Sequence, residues 1–332
     1  MVIDTADEFE RAAKEIGDLF KERGTKILKE AAASVRRERI NCSKAREALS
    51  FFMSYWCDVV RPSLVSLACE AVGGDPSTAP FLGRSLTLLS GATDIHDDII
   101  DKTITKGKRK TVNGGFGGDI ALLVGDVLLF EGFAELFAGL ARLKIPPEEK
   151  LAIVHSVKEL YFEMCDGEAL ELDFRARTDV KPEEYISVVK KKAADVEACL
   201  RTGAMLGGGS PEQINALGEY GRTLGVIVLL RNDFEDMCGF DLLKSRIDYE
   251  SLPLPLLFAL ENKEKREEIL AALKNLDRKG AKKLLRLISE AGAINKLENL
   301  FMSLKEQADA SINGFKWEVF KTILTATVPS KL

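Results

Sequence analysis

The chain has 332 residues, 46% of them hydrophobic and 30% charged, with a net charge of −5. This is the profile of a globular protein long enough to bury a large core, and it excludes a disordered chain. The acidic balance speaks against a nucleic-acid partner, because phosphate backbones attract basic surfaces.

The N-terminus, MVIDTADEFERAAKE, is charged and amphipathic and lacks the basic-then-apolar build of a signal peptide. Six scattered cysteines form no CxxC pair, and only two histidines occur, His96 and His155. A disulfide framework or a His-rich zinc site is therefore not expected, and a cytoplasmic location is. The longest apolar stretches, Ile120–Phe130 (broken by Asp126) and Val226–Leu230, fall short of the roughly 20 residues of a membrane span.

Helix starts punctuate the chain. Pro146-Pro147-Glu148-Glu149 and Lys181-Pro182-Glu183-Glu184 put proline and then acids where a helix begins, and Ser210-Pro211-Glu212-Gln213 reads as a capping box. Between these signals apolar residues recur at three and four, as in Leu151, Val154, Val157 and Tyr161, and again in Leu284, Leu285, Leu287 and Ile288. No sustained period-two run and no Pro- or Ser-rich linker interrupts them. The expected fold is all-α, a single domain over 1–332 built as a bundle of about a dozen helices. Loops are expected near 73–80, 102–118, 144–147, 178–182, 207–211 and 239–253. The glycine-rich stretch 113–118 reads as a helix-to-helix turn rather than a phosphate cradle, since no strand precedes it and no Gly-Lys-Ser/Thr follows.

The most informative stretch is Thr93–Asp101, which follows the apolar run Leu86–Leu89. Asp94, Asp97, Asp98 and Asp101 hold positions i, i+3, i+4 and i+7, one face of a helix. Like charges so spaced repel, and partial burial adds a desolvation cost. A solvated acidic face is the competing reading, but no lysine interrupts Leu86–Asp101. Hard cations relieve both costs, and Mg²⁺ characteristically takes one or two carboxylates together with substrate phosphates. A weaker second stripe, Asn232, Asp233 and Asp236, repeats the spacing of Asp97, Asp98 and Asp101 after the apolar run 225–230. Two such helices can face each other across a bundle cavity, each supplying ligands.

HDDIID at His96–Asp101, followed about 130 residues later by RNDFED, resembles the two aspartate-rich motifs of the trans-isoprenyl diphosphate synthases, also called polyprenyl synthetases. Arg61-Pro62, Gly125-Asp126-Val127-Leu128-Leu129, Gly167-Glu168-Ala169-Leu170-Glu171, Lys192-Ala193 and Tyr220-Gly221-x3-Gly225 resemble further family motifs, in order, over roughly residues 55–260. The resemblance implies an all-α bundle around a central cavity, a homodimer, and up to three Mg²⁺ ions held by Asp97, Asp98, Asp101, Asn232, Asp233 and Asp236. It implies that Asp97, Asp98, Asp101 and Lys192 serve ionisation of an allylic isoprenyl diphosphate, which then condenses with isopentenyl diphosphate. Arg61, Lys106, Arg109, Glu168 and Lys192 are the implied substrate contacts.

Departures from the family pattern gather at the isopentenyl diphosphate contacts. The family's Gly-Lys before Arg-Pro is Cys57-Asp58, its His or Gln falls at Ser90, and its Arg-Arg pair falls at Lys106-Gly107. Lys106, Lys108, Arg109 and Lys110 offer substitute cations. In the second motif the first aspartate is Asn232, and the lysine expected near 251 is Ser251. Three readings stay open: ordinary chain elongation, transfer of the prenyl cation to another acceptor or its cyclisation, and a non-catalytic prenyl-diphosphate-binding subunit. The family resemblance also makes Ala92, five residues before Asp97, the floor of the prenyl pocket. With Leu89 and Leu86 on the turns below, a small residue there implies a product of C20 or longer.

Overall fold

The computed structural model describes residues 5–274 and 276–328. The proline-led starts are realised: α7 is Pro147–Leu172, α8 is Pro182–Lys192 and α10 is Pro211–Cys238. Before α10 the Ser210 N–H donates to Gln213 Oε1 (2.9 Å) and the Gln213 N–H to Ser210 Oγ (3.3 Å), closing the capping box. Among the described residues the fold is all-α, from α1 (Thr5–Arg37) to α16 (Glu318–Thr327), with a single two-residue hairpin. The count exceeds a dozen because several helices are short, such as α5 (Val112–Phe116), α12 (Leu254–Leu260) and α13 (Arg266–Lys274). No described helix is long and apolar enough to cross a membrane.

Two expected loops need correction. The stretch 239–253 carries α11, Phe240–Tyr249. Its apolar periodicity is thin, with Leu243 buried and Leu242 exposed, and a buried arginine, Arg246, anchors it instead. The stretch 102–118 contains β1 (Thr105–Lys106) and β2 (Arg109–Lys110), which turn at Gly107, and then α5. Only Gly117, at φ +86°, is left to join α5 to α6 (Gly118–Arg142).

The chain divides into two compact units. One comprises Glu15–Glu159 and Ala198–Gly218. Its central pair is α4 (Pro80–Ile100) against α6. Three glycines seven residues apart on α6 admit α4. A methyl group at Gly125 would stand 2.3 Å from His96 Nε2, one at Gly132 2.9 Å from Leu89 Cδ2, and one at Gly139 1.9 Å from Phe81 Cδ2. The sevenfold repeat keeps the seam on one face of both helices. α2 (Ser43–Tyr55) lays Ala48, Leu49, Phe52 and Met53 on this pair, in one core cluster with Leu88, Ala92, Ile95, Val124 and Leu128. Arg84 of α4 ties Glu135 of α6 (2.9 Å) to Glu30 of α1 (3.0 Å).

The other unit comprises the described residues of 1–14, 160–197 and 219–332. Here α12 is buried along Leu254, Leu256, Leu257 and Leu260 and packs on α8, α14 (Arg278–Glu290) and α15 (Ala293–Ile312). The buried Tyr220 hydroxyl of α10 donates to the Phe320 carbonyl of α16 at 2.6 Å, which ties the C-terminal helix down.

Candidate active site

The acidic stripe closes the C-terminal end of α4. The carboxylates do not share one environment. Asp98 is buried, at 6% exposure, Asp97 and Asp101 are half-buried, and Asp94 is exposed to water. Asp101 ends the helix, its N–H donating to the Asp97 carbonyl at 2.9 Å. Burial raises the Asp98 carboxyl above its ordinary range, against the pull of Lys106. Although part of its side chain reaches water, the protein atoms packed around the Asp94 carboxyl push it up to about 6, with Arg61 and Lys106 opposing and Asp58 and Asp97 adding to the rise. His96 joins the stripe to α6. Its ring lies over Gly125, with Nε2 3.4 Å from Asp126 Oδ1 and 3.4 Å from the Leu122 carbonyl. This is a physical reason for Gly125-Asp126: the glycine makes room for the imidazole and the acid meets its far nitrogen.

The β1–β2 hairpin folds back on this turn. Thr111 Oγ1 donates to the Thr103 carbonyl (2.7 Å) and Asn113 Nδ2 to the Asp98 carbonyl (3.0 Å), so the hairpin is tethered to the helix end. Lys106 Nζ comes to 2.9 Å from Asp98 Oδ1. The contact is an ion pair without a well-directed hydrogen bond, since this buried oxygen keeps no hydrogen-bond partner. Arg109 also pulls on Asp98 from nearby, and its guanidinium carbon lies 3.3 Å above the centre of the Tyr55 ring, a cation–π stack. Arg61 is also engaged. Its Nη1 pairs with Asp58 Oδ2 at 2.9 Å, while Asp58 Oδ1 accepts the N–H groups of Val60 (3.1 Å) and Arg61 (3.2 Å). Asp58 thus caps the start of α3 (Val60–Ala71) and neutralises the arginine expected to meet substrate. Ser90 is buried at 1% exposure.

Below the stripe lie the three residues of the expected prenyl shaft. Ala92, Leu89 and Leu86 are all fully buried. Leu89 rests against Gly132, and Ala92 sits in the core cluster with Phe52, Met53 and Leu128.

In the other unit, Lys192 pairs with Glu168 at 2.9 Å and closely with Glu171, whose second oxygen takes the Ser251 hydroxyl. Gly167 lets α7 pass α8 here, since a methyl group there would stand 2.8 Å from Lys191 Cβ. The second stripe is split. Asn232 is exposed, Asp233 is buried at 4%, and Asp236 is half-buried. Both acids meet Arg246 of α11: its Nη1 is 2.7 Å from Asp233 Oδ1 and 3.1 Å from Asp236 Oδ2. The Tyr185 hydroxyl donates to Asp233 Oδ2 at 2.6 Å. Burial works against the Arg246 charge, but Asp233, Tyr185 and Glu250 more than offset it, raising the group well above the ordinary arginine range.

Residues 47–290 match the polyprenyl synthetase family. The chain belongs to that family. It is 35% identical over 236 residues to the short chain isoprenyl diphosphate synthase of Methanothermobacter thermautotrophicus, covering 70% of this chain and 67% of that protein. It is 28% identical over 271 residues to the geranylgeranyl diphosphate synthase of Methanosarcina mazei, covering 80% and 82%. The crystal structure of geranylgeranyl pyrophosphate synthetase from Pyrococcus horikoshii Ot3 superposes with a TM-score of 0.84 at 22% identity, over 96% of this chain and all of that one. Membership makes this chain an enzyme of the prenyl-transferring class.

In this polyprenyl synthetase the two stripes differ in their fitness for Mg²⁺. At the first, the buried Asp98 Oδ1 is met by Lys106, a flexible and half-exposed side chain 2.9 Å away that can swing off, and further hard oxygen donors stand beside it, which suits a hard cation. Among the described residues no three His, Cys, Asp or Glu side chains converge as a complete cage, and Mg²⁺ needs only one or two carboxylates when phosphate oxygens complete its shell. At the second stripe the donors do not fit as they stand, because both oxygens of Asp233 are already used. Arg246 and Tyr185 are the residues the sequence reading missed. The signal was an arginine ten residues after Asp236, inside a stretch read as loop.

Proposed function

We propose that this chain is a Mg²⁺-dependent prenyltransferase that ionises an allylic isoprenyl diphosphate and condenses it with isopentenyl diphosphate. The observation that carries the reading is the buried Asp98 between Asp97 and Asp101, with Lys106 held against it by a tethered hairpin. When bound, Mg²⁺ supplies electrophilic pull on the oxygens of the departing diphosphate. The chain's own part is to aim charge. Asp97, Asp98 and Asp101 fix the cation site, and Lys106 brings a further positive group to the same place as the leaving diphosphate. Family membership and the 35% identical relative, a named short chain isoprenyl diphosphate synthase, support the reaction class.

A second reading is favoured by one observation. Arg61 is spent on Asp58, and Arg109 on Tyr55, so two of the cations expected to meet isopentenyl diphosphate have other partners. An enzyme whose isopentenyl diphosphate contacts were lost in this way would give its prenyl cation to a different acceptor. Purified protein with Mg²⁺ and a panel of allylic diphosphates, with and without isopentenyl diphosphate, separates the two by product mass. Elongated diphosphates appearing only with isopentenyl diphosphate support the first reading. Consumption of the allylic substrate regardless of isopentenyl diphosphate supports the second.

A product of C20 or longer is part of the proposal, on the ground that Ala92 adds no bulk beneath Asp97. Growth of the tail past this point then requires the packed side chains around Ala92 to move aside. The homodimer is likewise proposed, and the outer face of α6 supports it. Leu122, Phe130 and Phe137 lie 49%, 72% and 54% exposed on one stripe of that helix, with Leu123 beside them at 56%. Four large apolar side chains on one helix face are what a second copy covers. The single 1–332 domain and a cytoplasmic location complete the reading.

A further inference from the structure

We propose that Arg246 is a resident cation of the second acidic stripe, so that Asp233 is withdrawn from metal binding and the divalent ions are held by the Asp97, Asp98 and Asp101 turn. The first support is geometric. Arg246 is 8% exposed and Asp233 4%, and both carboxylate oxygens of Asp233 are used, Oδ1 by Arg246 Nη1 at 2.7 Å and Oδ2 by the Tyr185 hydroxyl at 2.6 Å. The same nitrogen reaches Asp236 Oδ2 at 3.1 Å, and Nη2 lies 3.4 Å from Tyr185 Oη. Nε lies 3.4 Å from Glu250 Oε2, just past the end of α11.

The second support is independent of these contacts. Asn232 stands where the spacing of the first stripe calls for an acid, and it is exposed and uncharged. A stripe that gathered a divalent ion would gain from a charge there. A stripe already balanced by a guanidinium gains nothing from it. The helix that brings Arg246 has little apolar anchorage of its own: Leu243 is its one fully buried apolar residue, with Phe240 and Ile247 partly covered.

For Mg²⁺ to take Asp233, the ion would have to displace a buried guanidinium and a tyrosine hydroxyl. Arg246 would then be left charged inside the protein without its main counter-ion, the costliest arrangement for a buried ion pair. The arginine therefore acts as a positioning residue. It fixes α8, α10 and α11 to one another through Tyr185 and Asp233, whether or not metal is present.

The test counts Mn²⁺ bound per chain to the full-length protein, from the electron paramagnetic resonance signal of the free ion, with saturating inorganic diphosphate. The Asp233→Asn variant should bind as many ions as wild type, with affinity changed less than about twofold. Arg246→Met should gain one ion per chain, and the gain should vanish in the Asp233→Asn/Arg246→Met double variant. Arg246→Lys, which keeps a cation, should gain none. Loss of an ion in Asp233→Asn would overturn the proposal, as would a folded Arg246→Met that binds no more than wild type. If Arg246→Met does not fold, the Asp233→Asn count decides alone. The inference rests on the metal reading of the first stripe only for where the ions go. Wild type without any bound Mn²⁺ would sink that reading, and the gain in Arg246→Met would still decide this one.

Discussion

Lys106 and Asp98 set the terms at the residue scale. A buried carboxylate beside three other acids needs positive charge, and the chain supplies Lys106 at 2.9 Å with Arg109 nearby. Replacing Asp97 or Asp101 with alanine should lower turnover with every allylic diphosphate by about 10²–10³ or more, the size of losing one electrostatic stabiliser in a dry site. Steady-state kinetics across the substrate panel checks this, and near wild-type rates in either variant would count against the site. Asp94 gives a pH signature. Its folded carboxyl sits at about 6, above the model-peptide value of 3.8, so the native state holds its proton over that interval. The favourable contribution is full below pH 3.8 and is lost as pH rises through 6. In metal-free protein, Asp94→Asn should therefore raise the melting temperature at pH 7.5 and change it little at pH 3.5. A flat difference across that range would refute the assignment. Much of this site was legible from residue type and spacing alone, because i, i+3, i+4 periodicity needs no tertiary knowledge. The pairings of Arg61 with Asp58 and of Arg109 with Tyr55 were not, since they depend on where separate segments meet.

At the scale of elements, the α4–α6 seam is the feature most exposed to test. Gly139→Ala puts a methyl group 1.9 Å from the Phe81 ring, and Gly125→Ala one 2.3 Å from His96. Overpacking of this kind costs about 1–3 kcal/mol, so denaturant unfolding should show both variants destabilised. Gly125→Ala should also cost activity, because it tilts the imidazole beneath the acidic turn, whereas Gly139 lies at the far end of the seam. Equal activity loss in the two would show that the seam acts only through stability. Ala92→Phe sits beside the same seam. It should shorten the prenyl product if the tail passes that point. Lower stability with unchanged chain length would instead mean that Ala92 only packs the core. The glycine spacing of seven was present in the sequence and unread, because glycine in a helix looks like a weak helix former until its neighbour is known. α11 was lost for the opposite reason: charge rather than apolar periodicity holds it, and periodicity is what the eye follows.

For the whole molecule, the all-α class followed from proline-led helix starts and a three-four apolar rhythm, and the family from two motifs in order. The proposed homodimer rests on the exposed α6 face. Phe130→Glu with Phe137→Glu should convert a dimer to monomers in light scattering without lowering the content of helix by circular dichroism. Unchanged mass in the double variant would place any interface elsewhere. One local feature reaches this scale too, through how the enzyme can be altered. Asp58 both opens α3 and quenches Arg61. Restoring lysine at 58 thus does three things at once: it adds a cation, frees a second one, and strips a helix of its first-turn acceptor, worth about 0.5–2 kcal/mol. Asp58→Asn separates these effects, since an amide oxygen can still receive the N–H groups while the guanidinium is released. The road back to a stronger diphosphate site therefore has a stepping stone, asparagine before lysine. An engineer who skips it trades substrate affinity against the fold in a single move.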